Sequence, residues 1–91
     1  AVDLEAAKLL TYRATHLIDS KIPCLTEASM AKYFATETAC KAGDYTTRIF
    51  GAYAYSMEYN AQRYYRDNRF LLYGGGTHEV LLPNIARWAG L

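Results

Sequence analysis

Three patterns in the sequence have residue types and spacing that could do chemistry. The run Gly74-Gly75-Gly76 stands directly before Thr77. Glycines let backbone approach an anion, and free N–H groups at a helix start attract negative charge. No Lys-Ser or Lys-Thr follows, so the run is not a Walker-type loop. No strand precedes it, so it is not a dinucleotide fingerprint either. Anion contact and a plain flexible connection both stand as readings. Arg63, Arg66 and Arg69 recur every third residue beside Tyr64 and Tyr65. A nucleic-acid or phosphate patch uses such cations with stacking aromatics. A solvated face paired to Asp67 and Glu58 has the same pattern. A net charge of +1 favours the solvated face and no nucleic acid. His78 beside Glu79 could do acid–base work, but the sequence offers no nucleophile or third partner. His16 falls late in the first helical segment, where an exposed helix-end role fits better.

Cys24 and Cys40 lie sixteen positions apart, and neither is near a histidine in sequence. That spacing does not supply a zinc site. Two reduced thiols of an intracellular protein are expected, each behaving as a small apolar side chain. Ninety-one residues allow one domain, 1–91. A hydrophobic fraction of 52% with 21% charged residues is globular and excludes a disordered tail. No apolar run reaches the roughly 18 residues of a membrane span. The chain starts at Ala1 without Met or a leader segment, which predicts a processed chain or a fragment.

The elements that must carry these groups are helices. Leu4, Ala7, Leu10, Ala14, Leu17 and Ile18 recur at helical spacing from Val2 to about Asp19. Ser20 to Pro23 breaks that segment. Thr26 is the expected N-cap of a second helix reaching Phe50. Met30, Tyr33, Phe34, Thr38, Ala42, Tyr45 and Ile49 mark its face. It would run roughly 37 Å, long for so small a domain. Gly43 is a weak point within it, costing about 1 kcal/mol relative to Ala. Residues 51–59 read as an aromatic loop, and Asn60 as the cap of a short helix to Asp67 or Arg69. Thr77 opens a last helix to about Trp88, which Pro83 should kink or break. Six of the nine tyrosines fall between 53 and 73, suiting pocket walls, interfaces or ordinary packing. The expected fold is all-α, an antiparallel bundle of three or four helices.

Several stretches resemble the C-terminal region of the FAD-dependent acyl-CoA dehydrogenase family, in the family's order. They are Ala6-Ala7-Lys8-Leu9-Leu10-Thr11-Tyr12-Arg13-Ala14 and Glu27-Ala28-Ser29-Met30-Ala31-Lys32-Tyr33-Phe34-Ala35. The most specific is Ile49-Phe50-Gly51-Ala52-Tyr53-Ala54-Tyr55-Ser56-Met57-Glu58-Tyr59, followed by Arg63-Tyr64-Tyr65-Arg66-Asp67. Gly76-Thr77 with Glu79, then Ile85-Ala86-Arg87, is similar to the terminal motif. The likeness covers nearly the whole chain.

The resemblance implies a C-terminal helical bundle, here lacking its first helix. It packs subunits and forms part of the FAD and acyl pocket, after an N-terminal helical and a middle β-domain. Such enzymes dehydrogenate the α,β bond of an acyl-CoA thioester. A Glu takes the α-proton, the flavin takes the β-hydride, and electron-transferring flavoprotein reoxidises the flavin. By the same resemblance Arg48, Gly51, Ala52, Thr77 and Glu79 fall at positions near the cofactor. The sequence departs from the family in places. Arg48 replaces a common Gln, and Ala52 and Ala54 replace glycines, adding methyls where backbone nears the cofactor. Gly75 stands where many members carry the catalytic Glu, so no catalytic residue is assigned. The chain alone is expected to be inactive and to bind no FAD by itself. A homo-oligomer, dimer or tetramer, is expected, in the cytoplasm or the mitochondrial matrix of a eukaryote. The same departures leave open a non-enzymatic helical assembly module or a catalytically silent partner subunit.

Overall fold

The computed structural model describes residues 1–88 and Gly90. Helices α1 (Val2–Asp19), α2 (Leu25–Phe50), α3 (Ala61–Phe70) and α4 (His78–Trp88) follow one another, with a 3-10 turn at Gly51–Tyr55. No strand occurs among the described residues, so the all-α expectation holds. Helix α2 is the hub. The 3-10 turn and helices α1, α3 and α4 all pack on it, and among the described residues the α1 backbone approaches neither α3 nor α4. Ala1 and Leu4 lie by Tyr45, while Arg13 pairs with Glu27 at 3.6 Å, so α1 runs antiparallel to α2.

Helix α1 buries Ala7 and Ala14, with Leu10 and Leu17 half-buried beside them. Leu4 and Ile18, expected on that face, stay exposed. The helix ends in a Schellman turn, in which Ile22 N–H donates to the Leu17 carbonyl at 2.9 Å and Lys21 N–H to that of Ile18 at 3.0 Å. Lys21 takes φ 57°, the left-handed place usually filled by glycine. Pro23 therefore follows a stop that the backbone itself makes.

Helix α2 begins one residue before Thr26. Cys24 is its N-cap, and no side chain caps it. Its buried residues are Ser29, Ala31, Thr36 and Gly43, not the large side chains of the expected stripe. Neighbours approach it from several sides, and only small residues let backbones come that close. Tyr45 and Ile49 remain exposed. Gly51, with φ 61°, ends the helix as expected. Asn60 precedes α3 but makes no side-chain cap bond, and residues 51–55 of the expected loop are helical. Helix α4 runs through Pro83 unbroken. A proline here withdraws only one N–H from the ladder, and Pro83 sits on the solvent side.

The buried apolar residues are Ala7, Ala14, Ala31, Ala54, Ala61 and Leu81. A buried methyl stabilises by about 0.8 kcal/mol, so a core of alanines is a thin one. The radius of gyration is 15.4 Å, against about 12 Å for a compact chain of this length. The long α2 draws the molecule out to 46 × 24 × 19 Å, with large apolar side chains left on the outside.

Candidate functional site

The triglycine run and the start of α4 lie against the N-terminal half of α2. Lys32 Nζ donates to the Leu71 carbonyl at 2.6 Å and to the Gly76 carbonyl at 2.9 Å. One helical turn on, the His78 ring rests beside Tyr33, centroids 4.5 Å apart. His78 Nδ1 lies 3.0 Å from Glu37 Oε1, and its Nε2 lies 3.2 Å from Thr36 Oγ1. The partner of His78 is thus Glu37, not the adjacent Glu79, which is exposed. Helical spacing explains the choice. Residues 32, 33, 36 and 37 form one face of α2, and α4 docks on it.

This Glu–His–Thr chain has the order of a nucleophilic triad, but the chemistry does not follow. Thr36 Oγ1 is buried and already donates to the Lys32 carbonyl at 2.8 Å, with Tyr33 O at 3.1 Å. His78 spends both ring nitrogens on α2, at Glu37 and Thr36. The cluster joins α2 to α4.

The loop itself is open. Gly75 has φ 75° and Gly76 φ 123°. A Cβ on Gly75 would meet nothing within 4 Å, so its backbone is open to an incoming group. Gly74 is different, because a Cβ there would lie 2.9 Å from the Phe70 ring. Thr77 is half-buried, and its carbonyl accepts from Val80 and Leu81 at 3.0 Å each, which starts α4.

Arg48, Gly51 and Ala52 lie at the other end of α2. Thr36 and Arg48 are twelve positions apart, roughly 18 Å along the helix. The five cofactor-site candidates therefore form two groups at two levels of α2. Arg48 pairs with Asp44 at 3.0 Å and stays exposed. Gly51 is open on its Cβ side, as Gly75 is. Ala52 is exposed, whereas Ala54 is among the most buried residues. The Ala54 methyl thus packs inward, beside a cleft of about 490 Å³ that Tyr55, Tyr65 and Arg66 also line. The methyl at 54 takes up internal space of this domain.

The arginine row is a solvated face. Arg63 pairs with Asp67 at 3.7 Å, and Arg66 bonds to Gln62. Arg69 donates to the Tyr65 hydroxyl at 3.1 Å, with its guanidinium over that ring. Glu58 takes no part in these ion pairs. Beyond the row, Tyr53 and Phe50 meet Tyr59 edge-on at 6.0 and 5.6 Å. Both cysteines are free thiols. Cys40 Sγ donates to the Asn68 carbonyl at 3.3 Å, and burial pushes its pKa up. No metal-ligating cluster and no helix long and apolar enough to cross a membrane occurs among the described residues.

The sequence family described as acyl-CoA dehydrogenase, C-terminal domain, matches residues 1–90. The chain is 53% identical over 87 residues to the benzylmalonyl-CoA dehydrogenase of Aromatoleum aromaticum, covering 96% of this chain and 23% of that protein. It is 44% identical over 80 residues to the caffeyl-CoA reductase-Etf complex subunit CarC of Acetobacterium woodii, covering 88% and 21%. It is 42% identical over 80 residues to the human short-chain specific acyl-CoA dehydrogenase, mitochondrial, covering 88% and 19%. A chain in the solved structure described as the electron transferring flavoprotein of Acidaminococcus fermentans superposes with a TM-score of 0.94 at 34% identity. That match covers 98% of this chain and 23% of the other. The chain spans about a fifth of the length of these relatives.

Proposed function

The chain belongs to the acyl-CoA dehydrogenase family, as its C-terminal domain, and from that premise we propose that it serves a flavin-dependent enzyme that moves two hydrogens across the α,β bond of an acyl-CoA thioester. What carries the reading is the pair of open glycine turns at Gly51 and Gly75, each set at an end of a helix that packs on or forms the hub. FAD fits such turns, because backbone without a Cβ can lie against a phosphate or a flavin edge. Arg48, Gly51 and Ala52 would hold one stretch of cofactor. The exposed Arg48 guanidinium can exchange Asp44 for a phosphate. Thr77 and Glu79 would hold another stretch at the start of α4. Bound FAD supplies the hydride acceptor.

The chain's own residues bind and orient, and none is assigned as the base. Gly75 has no side chain to take the α-proton, and His78 is turned onto α2 by Glu37 and Thr36. The base is then expected from another part of the enzyme. The apolar side chains left outside, Val2, Ile49, Tyr55 and Met57 among them, suit a dimer or tetramer of copies. Electron-transferring flavoprotein is the proposed redox partner, and the cytoplasm or mitochondrial matrix the proposed compartment. Two of the relatives bear the names of aryl-substituted CoA thioesters, benzylmalonyl-CoA and caffeyl-CoA. An acyl group carrying an aromatic ring is accordingly the proposed substrate class.

The test is flavin content and bleaching. Full-length protein should purify with flavin absorbance that phenylpropionyl-CoA bleaches faster than butyryl-CoA. Equal bleaching by both would remove the aryl preference. Bound flavin that no acyl-CoA bleaches would favour a silent partner subunit. Protein that holds no flavin even with added FAD would overturn the reading in favour of an assembly module.

A further inference from the structure

Among the described residues the backbones of helices α3 and α4 do not come together, whereas both pack on α2. For the connection from Leu71 to Thr77, α2 is the element that both flanking helices share. Its first part continues the last turn of α3, with Tyr73 and Gly74 N–H donating to the Phe70 carbonyl at 2.9 and 3.0 Å. After that come Gly75 and Gly76, both left-handed, and among the described residues no backbone carbonyl accepts from either N–H. Two consecutive glycines of this kind have wide conformational freedom. Left to itself, this loop would wander.

Lys32 prevents that. An ammonium has three donors and no acceptor role, and this one spends two of them on carbonyls at the two ends of the loop, Leu71 and Gly76. Bonds from a charged donor are among the stronger ones. One turn along α2, Tyr33, Thr36 and Glu37 hold His78. Thr77 lies between the two anchors. Its place is set by Lys32 on one side and His78 on the other.

We propose that Lys32 is a positioning residue for the cofactor end of this domain: its ammonium closes the Leu71–Gly76 loop so that Thr77 is presented to FAD in a single conformation. The cofactor part rests on the proposed function, and the loop part rests on the two hydrogen bonds alone. Lys32 acts through the loop and does not itself touch the cofactor. A residue needed only for folding would lower stability throughout, whereas Lys32 should act locally.

The experiment uses the full-length protein with Lys32→Met and Lys32→Arg. Met keeps the stem without the donors, and Arg keeps charge and donors. Amide exchange at Tyr73 and Gly74 is read against the interior amides of α2, and the FAD dissociation constant is read by flavin fluorescence. Losing two charge-assisted bonds should speed exchange at Tyr73 and Gly74 and weaken FAD, each by roughly tenfold. Exchange inside α2 should hold, and Lys32→Arg should restore most of both. Glu37→Gln serves as the comparison variant. It disturbs His78 and should leave Tyr73 and Gly74 slow. Unchanged exchange at Tyr73 and Gly74 in Lys32→Met overturns the proposal. Faster exchange with unchanged FAD affinity does so too, as does an equal rise throughout α2. Wild-type protein that binds no FAD overturns the proposed function instead, and the exchange rates still judge the loop.

Discussion

Gly43→Ala is expected to stabilise the domain. Gly43 is buried in the C-terminal third of α2, against α3. A Cβ built there would lie 3.5 Å from Tyr65 Cα, 3.5 Å from Asn68 Nδ2 and 3.9 Å from the Tyr64 carbonyl. Those are ordinary van der Waals distances, so a methyl fits without moving α3. Two gains follow. Alanine is favoured over glycine in a helix interior by about 1 kcal/mol. One buried methyl adds up to about 0.8 kcal/mol. The sum is between about 1 and 2 kcal/mol, and 1 kcal/mol moves the midpoint of a domain this size by roughly 4–8 °C. Thermal melts followed by helical circular dichroism should show a rise of at least that order for Gly43→Ala. Gly43→Leu should show a fall, because atoms beyond Cβ meet the α3 backbone and overpacking costs about 1–3 kcal/mol. A lower midpoint for Gly43→Ala would refute the reasoning. It would mean that α3 sits closer to α2 than the 3.5 Å contacts allow.

Lys21→Gly should raise stability by about 1 kcal/mol, because a left-handed φ strains any residue with a Cβ; a urea titration reads this, and no gain would mean the Lys21 stem packs usefully. Arg48→Ala should barely change stability, since its pair with Asp44 is exposed and such pairs contribute about 0.5 kcal/mol or less. In the proposed flavoenzyme it should weaken FAD by roughly tenfold at low salt and less at high salt, and a salt-independent affinity would remove the phosphate contact. Cys40 should alkylate slowly at neutral pH and faster as the pH climbs past the ordinary thiol range, because burial raises its pKa. The folded form holds the proton more tightly, so this stabilisation is complete below the unfolded thiol's pKa of about 8.5 and is lost as pH rises through the folded one. Rapid modification of Cys40 at neutral pH would contradict its burial.

The function of the domain turns on how a thin core can still fix a site. Alanine and glycine let α1, α3 and α4 sit close to α2, and the large side chains go outward. Close approach brings Lys32 within reach of carbonyls at both ends of the 71–76 loop and Glu37 within reach of His78. A few directed polar bonds then do what apolar packing does in a larger core. The same arrangement leaves Ile49, Tyr53, Tyr55 and Met57 available to other chains.

The helices are legible in the amino-acid order, because helix-forming periodicity and its stops are local. Gly51 ended α2 where a stop was expected, and the ordered motifs from Ala6 to Arg87 were enough to indicate the family. The expected α2 stripe differs, for a physical reason, from the residues that are buried. Periodicity finds one face against one partner, and α2 has partners on several sides, so Ser29, Ala31, Thr36 and Gly43 went inside. Lys32 carries no local signal beyond its family stretch, since a lone lysine on a helix reads as solvated. Its partner Gly76 lies 44 positions away, so nothing local joins the two. Likewise Glu79 was the obvious partner for His78, being adjacent, yet adjacent residues on a helix point in different directions. Which side chain meets which depends on the docking of one helix on another. That register is decided by contacts between segments far apart in the chain, and only the tertiary structure contains it.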